Sequence, residues 1–227
     1  MVVNSLYNII DSFFVAMISE EALTAVSLVY PIQNAINAVS IGFGVGLNAV
    51  ISFCLGAKQE KLAYTAATHG MVLSVLHGLL LMGGCMAIMP SFLRLFTQDA
   101  QIISFGLTYA YIVFGFSVVL TIDLAYEKMF QAVGRMQVSM VSLICGCLTN
   151  IIGDPLLIFG WGPIPAMGIA GAAWATGLGQ TVSLLVYLVV QYYRPMPIQI
   201  SRTYLVWNSA LDQKIYSIGI PAILNMG

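Results

Sequence analysis

Apolar residues run along this chain in long, nearly unbroken stretches, with polar residues confined to short gaps between them. The stretches cover roughly residues 1–18, 24–55, 66–92, 102–125, 137–160 and 168–192. A polar connector, RPMPIQISRTYLVWNSALDQK, follows, and IGIPAILNMG then opens another apolar run. A helix needs about 20 apolar residues to cross a bilayer. The pattern predicts an all-α polytopic membrane protein: a six-helix transmembrane bundle over 1–193, a connector over 194–214, and the start of a seventh helix over 215–227. As a helix, residues 1–18 reach only about 27 Å, which predicts a first helix lacking its opening turns. The second stretch contains Pro31, Gly42, Gly44 and Gly46, and its length suggests tilt, bending or an extension past the membrane.

Composition agrees. The 227 residues are 59% hydrophobic and 7% charged, against about 25% charged in a soluble domain. The net charge of −1 and the absence of a basic run argue against nucleic acid as a partner. The lipid bilayer is the expected surrounding. No basic flank precedes the first stretch, and Asn4, Asn8 and Asp11 interrupt it, so it does not read as a cleaved signal peptide. Cys54, Cys85, Cys145 and Cys147 all fall in apolar runs and read as small core residues, not disulfides or metal ligands.

Charge sets an orientation. In a six-span model Lys58, Lys61, Lys128, Arg135, Arg194, Arg202 and Lys214 fall on one side and Arg94 alone on the other. By the positive-inside rule the seven mark the cytoplasmic side. The N-terminus and the 194–214 connector are then cytoplasmic, in a plasma-membrane protein. Glu20, Glu21, Asp99 and the loop Trp161-Gly162-Pro163-Ile164-Pro165 lie outside.

Against this frame, polar residues inside the spans stand out, because a charge at membrane depth is costly and marks a functional site by default. Asn4, Tyr7, Asn8 and Asp11 form a polar stripe at helical spacing. Asn150 and Asp154 are four apart and share a helix face, with Pro155 directly after and a kink expected there. Asp11 lies nine residues before Glu20, about 13 Å below the outer surface. Asp154 is seven residues before Trp161 and Thr176 about seven residues into the sixth helix, each about 10 Å down. Three helices thus bring polar groups to one depth. The plain alternative is an Asp that caps a broken helix or bonds a neighbour.

Other features read as structural. GFGVG at 42–46 follows no strand and suits close helix packing, as do Gly168, Gly171 and Ala172, Ala173 and Ala175. His69 and His77 share a face roughly, with His77 read as a hydrogen-bonded structural histidine. Most of the twelve methionines read as core filler. Asp123 falls near the cytoplasmic end of the fourth stretch and is expected at the interface, with no transport role. No Ser/His/Asp set, clustered metal ligands or paired Asp-rich motifs appear, which argues against an enzyme.

Four stretches resemble one transporter family, the multidrug and toxic compound extrusion (MATE) transporters, especially the DNA-damage-inducible and archaeal-like branch. They are LYNIIDSFFVA at 6–16, LGAKQEKLA at 55–63, FQAVGRMQ at 130–137, and TNIIGDPLLIFGWG with GIAGAAWAT at 149–176. The resemblance implies an N-terminal six-helix lobe of a twelve-helix transporter, with the C-terminal lobe missing. It also implies cation-coupled efflux, driven by Na⁺ or H⁺, of amphipathic or cationic drugs by alternating access. No cofactor beyond the coupling ion is implied. On this resemblance Asp11, Asn150, Asp154 and Thr176 are the cation-coupling residues and candidate Na⁺ ligands, with Tyr7 an aromatic beside the first acid. Tyr7, Asn8 and Asn37 are the cavity candidates.

Two other readings compete. A lipid-linked oligosaccharide flippase of the same superfamily would carry cationic residues in its cavity, and no Lys or Arg lies within a span here. A non-transporting membrane module would need only one lobe.

Overall fold

The computed structural model describes residues 10–163, 165–206 and 208–225. Helix α1 is described over 10–16. It is followed by α2 (Glu20–Gly56), α3 (Glu60–Phe96), α4 (Ala100–Gly115), α5 (Ser117–Ala132), α6 (Met136–Ile158), α7 (Ile169–Tyr193) and α8 (Ser209–Leu224). Among the described residues α2, α3, α6 and α7 are each long and apolar enough to cross a membrane. The fourth predicted stretch is a broken helix: α4 and α5 meet at 45° and make a fifth span if counted as one. The break sits at Phe116, whose backbone (φ −87°, ψ 3°) leaves the helical register without any proline.

Helix starts follow local chemistry. Ser19 Oγ accepts from Ala22 N at 3.1 Å, opening α2 ahead of the acidic pair Glu20 and Glu21. Asp99 Oδ1 accepts from Gln101 N at 2.7 Å and caps α4. Asn208 Oδ1 accepts from Leu211 N at 3.2 Å and starts α8 at Ser209, six residues ahead of the expected 215. Prolines 31, 90, 155 and 221 all lie inside helices that continue past them. A chain with few other ways to satisfy its backbone in lipid keeps the helix and gives up one hydrogen bond.

The chain divides into two compact units, each assembled from three sequence stretches. Unit 1 comprises Met1–Gln33, Leu80–Ser117 and Leu143–Ser183, and unit 2 comprises Asn34–Leu79, Val118–Ser142 and Leu184–Gly227. The division sorts the charges. Unit 1 holds one cation (Arg94) and five acids, net −4, whereas unit 2 holds seven cations and four acids, net +3.

Unit 2 is organised around Phe43, Leu47, Ile51, Met129, Phe130, Tyr187, Ile198 and Ile215. Here the glycines of 42–46 do what their spacing predicts. A Cβ on Gly42 would overlap Ile223, and one on Gly46 would overlap the Ile215 carbonyl, so α2 and α8 touch backbone to backbone. His77 Nε2 pairs with the Tyr216 hydroxyl at 2.9 Å and stacks edge-on against Phe43, as a structural histidine should. His69 Nδ1 meets Asp212 Oδ1 at 3.0 Å, an interaction between α3 and the first turn of α8.

Asp123, expected near the cytoplasmic interface, is buried within unit 2. Hydropathy ends the fourth stretch at Glu127 and Lys128, but α5 runs on to Ala132. These late polar residues bond one another: Lys128 Nζ to Glu127 Oε1 at 2.8 Å, and Gln131 Nε2 to the same oxygen at 2.7 Å. All four cysteines are free thiols.

Candidate cation site

The site is built on the pairing of α6 with α7 inside unit 1. Gly168 adopts φ +55°, a conformation open to glycine, and its N–H returns to the Ile158 carbonyl at 3.1 Å. Met167 N likewise bonds Leu157 O at 2.9 Å. These closures fold α7 back antiparallel to α6. Small residues then bring the two backbones together along a seam. A Cβ on Gly171 would overlap the Leu157 carbonyl. One on Gly153 would stand 3.2 Å from Ala175 Cβ, and one on Gly179 would stand 2.8 Å from Gly146 O and 3.2 Å from Asn150 Cβ. The seam pairs therefore run Leu157/Gly171, Gly153/Ala175 and Gly146/Gly179, in opposite chain directions.

That antiparallel order fixes which polar residues meet. Successive helical residues turn by about 100°. Asp154 follows seam residue Gly153 and Thr176 follows seam residue Ala175. In antiparallel helices these two rotations carry both side chains to the same flank of the seam. Asn150, which touches the seam at Gly179, is one turn from Asp154 and donates to it: Nδ2 to Oδ1, 3.5 Å. Asp154 is 0% exposed, Asn150 1%, Thr176 1% and Asp11 6%. Asp11, on α1, is a second buried acid of the same unit.

Neither acid is neutralised by a protein cation. The Lys128–Glu127 ion pair and the His69–Asp212 contact, found among the described residues, both lie in unit 2. Arg94, unit 1's cation, is exposed. Three oxygens of the set, Asp11 Oδ1, Asn150 Oδ1 and Asp154 Oδ2, are buried without a hydrogen-bond donor. Each buried unsatisfied polar atom costs about 1–3 kcal/mol, more if charged. Acceptors short of donors are what a cation or proton corrects, so the residues present fit a hard, oxygen-seeking cation. Among the described residues no cluster of three or more His, Cys, Asp or Glu exists, so a site here rests on amide and hydroxyl oxygens beside the two acids.

The structure thus brings together Asn150 and Asp154, with Thr176 on the same flank and Asp11 buried in the same unit. Asn37 is half-buried on α2 in unit 2. Tyr7 and Asn8 lie outside the described residues, as does Asn4. Helix α6 continues through Pro155 and ends three residues later, at Ile158. One residue was missed in the sequence. Gln180, four after Thr176 and one after seam residue Gly179, carries a buried Oε1 that also lacks a donor. Its spacing from Thr176 was the available signal.

Comparison with known proteins agrees with this architecture. The chain is 28% identical over 209 residues to the probable multidrug resistance protein YoeA of Bacillus subtilis, covering 91% of this chain and 45% of the relative. It is 24% identical over 220 residues to the multidrug export protein MepA of Staphylococcus haemolyticus, covering 96% and 48%. A FAD transporter of Shewanella oneidensis is 27% identical over 193 residues, covering 83% and 42%. The chain therefore spans about half the length of these curated relatives. Among solved structures, an outward-facing multidrug resistance MATE family transporter superposes with a TM-score of 0.91 at 25% identity, covering 100% of this chain and 49% of the other. A MOP superfamily transporter from Pyrococcus furiosus gives the same TM-score at 24% identity, a likeness of fold. The MatE family model matches residues 1–156, and the chain belongs to that family, whose members are transporters and not enzymes.

Proposed function

We propose that this chain is one lobe of a cation-coupled exporter of amphipathic or cationic drugs in the plasma membrane, with Asp11, Asn150, Asp154 and Thr176 forming the coupling site. One observation carries the reading: two buried acids, Asp11 and Asp154, lie in unit 1 with no ion pair to a protein cation among the described residues. Buried acids without a cation are costly when charged, so taking up a cation or a proton changes the energy of the lobe. The relatives named as multidrug proteins support drugs as the cargo, and unit 1's net charge of −4 favours cations over anions.

The residues divide the work. A bound Na⁺ or proton would supply the positive charge that the two acids lack. Asn150 Nδ2 holds one oxygen of Asp154, which leaves the other facing away from that bond. The α6–α7 seam fixes Asn150 through Gly179 and leaves Thr176 on the same flank. Pro155 has no N–H, so the Ile151 carbonyl loses its helical donor one turn away. That is where α6 bends most cheaply as the lobes exchange inward and outward states.

The FAD transporter relative and a lipid-linked oligosaccharide flippase both imply an anionic cargo. An anion needs fixed cations in the cavity, and unit 1 has Arg94 alone, exposed. Dye accumulation in cells expressing the two-lobe protein tests the reading. The expected result is less ethidium retained than in vector controls; equal retention across a panel of cationic dyes, with protein present in the membrane, overturns it.

A further inference from the structure

The polar flank of the seam is longer than the coupling set. Asp154 and Thr176 follow the Gly153/Ala175 contact. One turn along, Gln180 follows Gly179, whose own contacts are Gly146 and Asn150. By the same rotation Gln180 lies on the flank that holds Asp154 and Thr176, level with Asn150. Its Oε1 is buried and has no donor, as do Asn150 Oδ1, Asp154 Oδ2 and Asp11 Oδ1. Three acceptor oxygens on one side of the α6–α7 pair, and a fourth on α1, are buried without a hydrogen-bond donor.

A single proton converts one carboxyl oxygen into a donor and satisfies a neighbour. It cannot serve four oxygens spread over one turn of α6 and α7 and over α1. A bare metal cation accepts several oxygen ligands at once, neutral amides included. An amide oxygen also adds no charge, which suits a buried site that already holds two acids.

We propose that Gln180 is a further cation-positioning residue, its amide oxygen joining those of Asn150 and the two acids to favour Na⁺ over a proton. This rests on reading Asp11 and Asp154 as the cation site. Gln180→Leu removes the oxygen and keeps an apolar chain of similar length. Gln180→Glu keeps an oxygen at the same reach.

The test uses the purified two-lobe protein in detergent, reading its melting temperature as NaCl replaces choline chloride at constant ionic strength. Ligands that bind only the folded state raise the melting temperature. The unaltered protein should be stabilised by Na⁺, and Asp154→Asn should lose the response. Gln180→Leu should need about tenfold more Na⁺ for half the effect, the loss typical of removing a supporting group at a metal site. Gln180→Glu should need no more than the unaltered protein. An unchanged Na⁺ requirement in Gln180→Leu, with the Asp154→Asn response gone, overturns the role of Gln180 and leaves the acid site standing. A normal response in Asp154→Asn removes the acid site itself. No Na⁺ response in the unaltered protein overturns the metal-ligand role and leaves the acids as a proton site. If Gln180→Leu does not fold, a weakened response in Gln180→Glu is the overturning result.

Discussion

Asn150 and Asp154 stand one turn apart on α6, joined by a single hydrogen bond of 3.5 Å from Nδ2 to Oδ1, while Asn150 Oδ1 and Asp154 Oδ2 are buried with no donor. A pair built for stability alone would satisfy both ends. Here the bond orients Asp154 without quenching it, and unmet capacity is left on both residues. That combination suits a group that must take up and release a partner.

The seam that holds Asn150 should be intolerant of added volume. Gly179→Ala places a methyl 2.8 Å from Gly146 O and 3.2 Å from Asn150 Cβ, and neither contact is a flexible side-chain end. We expect a loss of about 1–3 kcal/mol, typical of overpacking, and a weaker cation response as Asn150 is displaced. Gly83→Ala on α3 meets nothing within 4 Å and should be neutral or gain about 0.5–1 kcal/mol from better helix propensity. Melting temperatures of the two variants, with and without cation, check both.

The close contact of α2 with α8 gives a second prediction in unit 2. Gly46→Val would drive its side chain into the Ile215 carbonyl, where only the backbone can yield. The Lys214 ammonium, 4.0 Å above the Phe53 ring, should be displaced along with the start of α8. Proteolysis of the 194–208 connector should accelerate in this variant and stay slow in Gly83→Ala, as a digestion time course would show.

Tyr216→Phe removes the hydroxyl paired with His77 Nε2 and leaves that nitrogen without its partner. The expected cost is about 1 kcal/mol, seen as a lower melting temperature. Transport per folded molecule should be unchanged, because the pair belongs to unit 2 and not to the acid set. A selective loss of transport would mean that His77 belongs to the working machinery.

Much of this was legible in the sequence. The apolar runs locate α2, α3, α6 and α7, because twenty apolar residues in a row have few alternatives to a membrane helix. Asp11, Asp154 and Thr176 stood out by their expected depth and Asn150 by its spacing from Asp154, because a polar group in such a run is conspicuous. The break at Phe116 was not legible, since no proline or glycine pair announces it beyond Gly115. The full extent of α5 was not legible, because hydropathy registers Glu127 and Lys128 as the end of a span, while the helix runs on to Ala132 with these side chains bonded to one another. Gln180 escaped notice because its meaning depends on the seam, and the seam exists only once Gly146 and Gly179 are in contact.

The central claim is that Asp11 and Asp154 act as one coupling unit. The most direct measurement is ion-driven dye efflux in vesicles, normalised to folded protein, for Asp11→Asn, Asp154→Asn and the double variant. Each single change keeps side-chain size and removes a buried charge, so folding should be preserved or improved. Each single change should also abolish efflux, and the double should be no worse than either, since residues acting as a unit are non-additive. Full efflux in both single variants would contradict the account, as would normal efflux per folded molecule accompanied by a loss of stability.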